Sequence, residues 1–274
     1  MKDERHIREI RKHWERHGLS EAIVSALAES GKSLDGLTLD DLEPIDQFHG
    51  GRKRMTAHLA HLAELKPDMH VLDVGGGLGG AARTLAVEFG CRVTVLDLTE
   101  TYIQAGKMLN SLLRLDHCIT FQVGNALELP FDEPLFDAVW TQNSGMNIAD
   151  KERLYSEFHR VLRPGGLLAI QEPMAGPNHP PIFPVMWSPD GTNHFLRTPE
   201  EMRRLIEAAG FRAQKWVDVT GQKETPRATA PKHTIQTLVM GHERLEELLR
   251  VAQRNEAEKR LMMFQAVFDK PLPQ

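Results

Sequence analysis

Short apolar runs alternate with amphipathic segments through residues 68–172. The runs are HVLDV, CRVTVLD, CITFQV, FDAVWTQ and GLLAIQE, and each one predicts a strand. Because nearly continuous apolar strands are typical of a parallel sheet that helices cover on both faces, the pattern predicts a doubly wound α/β fold. Two later runs, FRAQKWVDV and LMMFQAVFDK, bring the predicted, mostly parallel sheet to seven strands.

Helical patterns dominate residues 1–66, where Ile7, Ile10 and Trp14 share one helical face. We predict an N-terminal helical cap over this stretch and a ligand-binding domain over residues 67–274. Seven of the sixteen prolines fall within 173–199, and a segment of this kind after a strand is typical of a lid or binding loop. A long helix is predicted over about residues 234–259.

Composition narrows the function classes. The net charge of −5 gives no basic field for nucleic acid, and no apolar run is long enough to span a membrane or to serve as a signal peptide. We therefore expect a cytoplasmic protein with a small-molecule partner, with a homo-oligomer left open. Two cysteines are expected in the core, and thirteen histidines form no complete ligand set, so no metal site is predicted.

The segment VLDVGGGLGGAARTLA carries the strongest chemical signal. A strand leads into Gly75, Gly77 and Gly80 and then into a helix, and such glycines let the backbone approach a nucleotide-like ligand at a helix N-terminus. Asp97 ends the next strand and could accept hydrogen bonds from ribose hydroxyls, although it could also only cap the turn before Thr99. The strand ends are expected to surround one crevice, and they are Asp73, Asp97, Asn125, Gln142 and Glu172.

A nicotinamide enzyme would begin in the same way, but neither tyrosine is followed by lysine at the spacing YxxxK. The chain continues instead with GNALELPF, FDAVWTQNSGMNIADKERL and HRVLRPGGLLAIQEP. With these motifs in order, it resembles the class I S-adenosylmethionine (SAM) dependent methyltransferases, which implies a Rossmann-like sheet. It is most similar to the small-molecule group of sarcosine/dimethylglycine and phosphoethanolamine N-methyltransferases, sugar O-methyltransferases and tocopherol or quinone C-methyltransferases.

The resemblance implies a set of SAM-binding residues. The segment DQFHGGR, with Gln47, would fold over the cofactor, as that group's segment before the glycine motif does. Carried over by position, Asp73 with Gly75, Gly76 and Gly77 would surround the amino acid end of SAM. Asp97 with Leu98 would contact the ribose and adenine, Asn125 with Ala126 would border the adenine edge, and Gln142 would form the cleft floor. Asn125 stands where the family usually has an acid, and its amide oxygen can still accept a hydrogen bond.

A second departure concerns catalysis. The phosphoethanolamine-type enzymes commonly carry a histidine where this chain has Asn147, and an asparagine cannot act as a base. The sequence thus favours methyl transfer by alignment and desolvation, with Gln142, Asn143 and Asn147 as orienting groups or, alternatively, as loop caps only. His49 and His194 remain candidate bases in the two segments expected to cover the crevice.

Substrate-binding candidates come from the loop after the fourth strand and from the lid. They are Asn143, Met146, Asn147, Trp187, His194 and Phe195. Trp187, Phe195 and Trp216 could form an aromatic wall for an apolar or cationic acceptor, or could simply pack within the lid. The sequence therefore predicts SAM-dependent methyl transfer to nitrogen or oxygen of a small molecule, with two alternatives: C-methylation of a prenyl or quinone-like acceptor, and SAM binding without transfer.

Overall fold

The computed structural model describes residues 2–222 and 233–273. Its centre is one seven-stranded sheet in the order β3-β2-β1-β4-β5-β7-β6, in which β7 alone runs antiparallel to its neighbours β5 and β6. The strands are β1 (His70–Val74), β2 (Arg92–Asp97), β3 (Ile119–Val123), β4 (Phe136–Gln142), β5 (Leu162–Ala175), β6 (Arg212–Asp218) and β7 (Leu261–Asp269). The predicted doubly wound, mostly parallel sheet is confirmed.

Helices cover both faces of this sheet. They are α1 (Lys2–Trp14), α2 (Leu19–Glu29), α3 (Leu39–Asp46), α4 (Arg52–Leu62), α5 (Gly80–Phe89), α6 (Glu100–Leu112), α7 (Lys151–Val161), α8 (Pro199–Ala208), α9 (Ile235–Met240) and α10 (His242–Ala257). A short 3₁₀ turn, Gly145–Asn147, follows β4.

Strand alternation sends apolar side chains to two cores. Val71 packs on one face with Leu59 of α4 and Leu85 of α5, whereas Leu72 packs on the other with Phe158 of α7. Both faces are thus buried, which explains why these strands are continuously apolar. Because β1, β2 and β4 are parallel, their carboxyl ends meet at one edge, where polar side chains can converge.

The N-terminal helices are integrated with the rest of the chain. Ile23 of α2 and Leu42 of α3 belong to one buried cluster with Leu109 of α6 and Ile235 of α9. Thr38 caps α3 by accepting a hydrogen bond from the backbone N–H of Asp41 at 3.3 Å. The segment predicted as a cap therefore shares its core with the sheet-bearing part of the chain.

Two predicted boundaries differ from the structure. The predicted helix over 234–259 is interrupted at Gly241, whose φ of 79° and ψ of 155° are not helical. The predicted lid begins later than residue 173, because β5 continues to Ala175 through pairing with Leu261 of β7. A strand partner 86 positions away is invisible in the local pattern of prolines.

Candidate functional site

A cavity of about 390 Å³ opens at the carboxyl ends of β1, β2 and β4. Its floor consists of strand ends and the turns that follow them. Its walls come from α1, the segment after α3, the 3₁₀ turn, two lid residues, α10 and the start of β7. The lining includes the predicted residues Gln47, His49, Asp73, Gly75, Gly76, Gly77, Asp97, Leu98, Asn125, Ala126, Gln142, Asn143, Met146, Asn147 and Trp187.

The glycine turn after β1 brings backbone close to this cavity. Gly75 has a φ of +72°, and a Cβ placed there would lie 2.5 Å from Cβ of Ser144. A Cβ at Gly76 would lie 2.6 Å from Oδ2 of Asp73 and 2.8 Å from Cγ1 of Val95. Side chains would therefore clash at both positions, and only glycine leaves room for the turn.

Two acidic side chains meet beside this turn. Asp73 is 1% exposed, and within the described part of the chain its Oδ2 has no hydrogen-bond partner. Burial, and then the charge of Asp97, raise the pKa of Asp73 to about 7. An unpartnered buried carboxylate next to a second carboxylate is costly without a cation, so this pair suits a positively charged or hydrogen-donating ligand.

Asp97 has two roles in the structure. Its Oδ1 accepts from the N–H of Thr99 at 2.8 Å, as the capping alternative expected, and its Oδ2 accepts from the N–H of Gly77 at 2.9 Å. It also lines the cavity, and burial raises its pKa despite these bonds. The capping and ligand-facing interpretations are therefore compatible in one side chain.

Two further polar groups of the cavity, one on Gln142 and one on Tyr102, have no hydrogen-bond partner among the residues described. Gln142 accepts at Oε1 from Thr56 Oγ1 and Trp140 Nε1, each at 3.0 Å, while its Nε2 is buried and unpaired among the residues described. The hydroxyl of Tyr102, a residue that the sequence did not single out, is likewise buried without a partner among the side chains of residues 5–222 and 233–273. Asn125 uses its Oδ1 to accept from the N–H of Leu127 at 3.0 Å.

His49 is a buried residue that lines the cavity. Burial lowers its pKa to about 4, so the imidazole is neutral at physiological pH. Its Nε2 lies 3.3 Å from Oγ1 of Thr56, and its Nδ1 lies 3.5 Å from Nε2 of Gln171. Because Thr56 donates its one hydroxyl hydrogen to Gln142, Nε2 of His49 is the protonated nitrogen and Nδ1 is the atom that can accept, and the low pKa makes the ring a weak base.

Asn147 lines the cavity but uses its side chain to hold other segments. Its Nδ2 donates to the carbonyl oxygens of Trp187 and Asn193, both at 3.2 Å, and its Oδ1 accepts from Nε1 of Trp14 at 3.3 Å. Both amide hydrogens are therefore engaged by the protein. The geometry favours a role in joining α1 and the lid over direct contact with an acceptor.

Several predicted site residues lie elsewhere. His194 and Phe195 are outside the cavity lining, where His194 packs on Phe183 at 5.3 Å between ring centroids and Phe195 packs on His6 at 5.0 Å. Trp216 packs on Phe264 and Phe268 and lines a separate cavity. Of the two alternatives for these aromatic side chains, packing describes Phe195 and Trp216, whereas Trp187 lines this cavity. The backbone N–H of Phe195 is bonded to the carbonyl of Met146, which fixes the lid with these rings turned aside.

Glu172 also departs from the prediction that it borders the crevice. It is 1% exposed and lies beneath the 3₁₀ turn, where its Oε1 accepts from the N–H of Gly145 at 2.8 Å. Burial raises the pKa of Glu172, whereas burial lowers the pKa of the neighbouring Lys151 to about 8. Lys151 donates to the carbonyl oxygens of Gly145 and Ile148. This pair supports the turn from below and has no place in the lining.

Helix α1 is the principal part of the site that the sequence did not assign. His6, Ile10 and Trp14 line the cavity. His6 donates through Nε2 to the carbonyl oxygen of Asn147 at 2.9 Å, and His13 donates to that of Met186 at 3.0 Å. The apolar periodicity of α1 indicated a buried face, but only the tertiary structure shows what that face covers.

Among the side chains described, those of residues 5–222 and 233–273, no group of three or more histidine, cysteine, aspartate or glutamate residues could hold a metal ion. None of the helices in the same residues is both long and apolar enough to cross a membrane.

The chain is similar to known methyltransferases. Residues 72–170 match a family described as "Methyltransferase domain". Sarcosine/dimethylglycine N-methyltransferase of Halorhodospira halochloris is 34% identical over 191 residues, which are 68% of this chain and 66% of that protein. Probable chloroplastic tocopherol O-methyltransferase of Oryza sativa subsp. japonica is 40% identical over 108 residues, 39% of this chain and 30% of that protein. The chain thus spans about two thirds or less of these relatives.

The fold comparison agrees with the sequence comparison. The structure of geranyl diphosphate methyltransferase with GPP and sinefungin superimposes with a TM-score of 0.71 at 18% identity, and the match covers 97% of this chain and 99% of that one. At this identity the likeness shows a shared fold. The strand order, the matched domain and these relatives together show that the chain belongs to the class I SAM-dependent methyltransferases.

Proposed function

We propose that this protein binds SAM in the cavity and transfers its methyl group to nitrogen or oxygen of a small-molecule acceptor. The observation that carries the proposal is the pair Asp73 and Asp97, two buried carboxylates that flank a glycine turn at the ends of β1 and β2. This is where open α/β sheets bind nucleotide-like ligands. The match over residues 72–170 includes both positions.

The unpartnered atoms fit the groups of SAM. Asp73 Oδ2 would accept from the ammonium of the amino acid end, which removes the cost of burying this carboxylate alone. Asp97 would accept from the ribose hydroxyls, and Asn125 and Ala126 would border the adenine. Nε2 of Gln142 would donate to an acceptor atom of either ligand. Gln47, whose Nε2 donates to Thr84 Oγ1 at 3.4 Å, would cover the amino acid end together with Gly76.

Bound SAM supplies a methyl group that its sulfonium sulfur activates for transfer. The protein's own residues then have two tasks: they exclude water and they align the acceptor. The cavity, which α1 and the lid partly cover, serves the first task. Neutral His49 can accept at Nδ1, in place of its 3.5 Å contact with Gln171, a hydrogen bond from an acceptor hydroxyl or amine, which serves the second.

The acceptor atom is proposed from the relatives named above, which are N- and O-methyltransferases. C-methylation of a prenyl or quinone-like acceptor is a second candidate, which the apolar walls of Ile7, Ile10 and Met146 favour. A cytoplasmic location and a homo-oligomeric state stay predictions from the sequence.

Calorimetry and a labelled-methyl assay test the proposal. The protein should bind S-adenosylhomocysteine more tightly than NAD⁺, and it should transfer labelled methyl from SAM to at least one compound of a panel of amines, hydroxyl compounds and isoprenoids. If NAD⁺ bound more tightly than S-adenosylhomocysteine, the assignment of the cavity as a SAM site would be refuted. SAM binding without transfer to any acceptor class would instead favour a SAM-binding protein that has no transferase activity.

A further inference from the structure

The cavity has two chemically different halves. One contains the glycine turn and the strand ends proposed to hold SAM. We call the other the acceptor half; it is lined from α1, the 3₁₀ turn, the lid, α10 and β7. Its side chains are mainly apolar and include Ile10, Met146, Met186, Leu249, Leu261 and Met262. In the described part of the chain, no lysine or arginine lines either half.

Most polar groups of the acceptor half already have partners, and the exception is Nε1 of Trp187, a buried donor that has no hydrogen-bond partner among the residues described. Nε2 of His6 donates to the carbonyl oxygen of Asn147, and the Asn147 amide holds the lid and Trp14. Oγ1 of Thr220 accepts from the N–H of Met263 at 2.9 Å. Glu256 also has an interaction partner. An ionised group on the acceptor would therefore meet one uncharged donor, the Trp187 indole, in a site whose other named hydrogen-bonding groups are committed to the fold.

We propose that the acceptor is a largely apolar molecule, and that carboxylate- or phosphate-bearing acceptors are excluded. Burying an anion without a protein cation to pair with is strongly unfavourable, one neutral indole donor does not offset that cost, and Asp97 and Glu256 add carboxylates to the same cavity. A neutral molecule is stabilised by apolar contact with the methionine and leucine side chains.

This inference rests on the proposed function, because it takes the half beside Asp73 as the cofactor half. S-adenosylhomocysteine is therefore bound first and its affinity recorded by calorimetry. The liganded protein is then titrated at pH 7 with two series, the 4-alkylphenols and the 4-alkylbenzoates. The phenol head group is uncharged at this pH and the benzoate head group is anionic, and within each series only the length of the alkyl chain changes.

Phenol affinity should rise about fourfold with each added methylene until the acceptor half is full. Benzoates of equal length should bind about 100-fold more weakly. Benzoates that bind as tightly as the phenols, or phenol binding that does not depend on chain length, would overturn the inference alone. Failure to bind S-adenosylhomocysteine would overturn the proposed function, and the inference with it.

Two substitutions locate the binding. Ile10→Lys places a charge in the acceptor half and should weaken octylphenol binding about tenfold or more, whereas Glu9→Lys, on the exposed side of the same helix, should not. Leu249→Lys on α10, with exposed Glu247→Lys as its control, repeats the test away from the N-terminus. All four variants should bind S-adenosylhomocysteine as the wild type does. Octylphenol binding that survives both cavity substitutions would place the apolar site elsewhere and refute the inference.

Discussion

Trp14 and Asn147 are joined by a hydrogen bond from indole Nε1 to amide Oδ1 at 3.3 Å, although they lie 133 positions apart. The same amide donates to the carbonyl oxygens of Trp187 and Asn193 in the lid. A single side chain thus connects α1 to the lid across the mouth of the cavity.

Asn147→Ala should therefore weaken the attachment of both α1 and the lid. Each neutral hydrogen bond contributes about 0.5–1.5 kcal/mol, so kcat/KM should fall modestly and the pH–rate profile should keep its position. Hydrogen exchange should become faster in α1 and in residues 185–195, because their shared partner is lost. Gln104→Ala removes an exposed amide of α6, and it should change neither kcat/KM nor the rate of hydrogen exchange in these segments. Unchanged exchange in α1 would show that the amide does not hold it.

Asp97→Ala tests the ribose contact. A hydrogen bond to a charged group contributes about 1.5–3 kcal/mol, so SAM affinity measured by calorimetry should fall roughly 10-fold or more. Part of the loss comes from the turn at Gly77, which Asp97 also holds. Asp132→Ala, an exposed carboxylate substitution, is the matched control and should leave SAM affinity unchanged. Equal affinity in the two variants would remove Asp97 from the cofactor site.

Asp73 should make the stability of the ligand-free protein depend on pH. Its pKa is about 7 in the folded chain against 3.8 for an ordinary aspartate, so the native state holds the proton more strongly. Stability attributable to Asp73 is present below about pH 4 and is lost as the pH rises towards 7, by up to a few kcal/mol.

His49 acts in the opposite direction, because its lowered pKa costs stability as the pH falls from 6.5 towards 4. The effect of Asp73 is therefore isolated by comparing wild type with Asp73→Asn in urea unfolding at several pH values. The free-energy difference between the two should shift in favour of Asp73→Asn as the pH rises. SAM, whose ammonium would partner the ionised carboxylate, should reduce that difference. A difference independent of pH would contradict the raised pKa.

The sheet and most of the cofactor floor were predictable from the sequence. Strand periodicity is local, and motifs such as the turn before Gly80 keep each functional residue at a fixed distance from its strand end. Asp73, Asp97 and Gln142 reach the cavity because parallel strands end at a common edge.

The acceptor half could not be predicted in the same way, because it forms from segments distant in sequence. The lid holds both Trp187 and His194, yet only Trp187 lines the cavity. Which of them turns inward depends on bonds such as that between Phe195 and Met146, and no periodicity encodes these. The same holds for helix α1, because the sequence indicates its apolar face but does not indicate that this face lines the cavity.

The last prediction separates alignment from base catalysis. His49 lies in the cavity with a pKa of about 4, so it is uncharged across the physiological range and is a weak base. We expect His49→Gln, which keeps a hydrogen-bonding group, to lower kcat/KM by about tenfold or less without moving the profile between about pH 6 and 9. His194→Gln serves as the control, since the ring lies outside the cavity and packs within the lid, and it should have the smaller effect.

Labelled-methyl transfer with saturating SAM measures both variants. A loss of about 1,000-fold in His49→Gln, with SAM affinity unchanged, would make His49 the general base. It would also mean that SAM or the acceptor raises the pKa of this imidazole well above 4, because a group with so low a pKa removes protons poorly at neutral pH. The same loss in His194→Gln would require the lid to turn that ring into the cavity. A modest effect in both leaves desolvation and orientation as the source of rate, as the closed, apolar walls of the site lead us to expect.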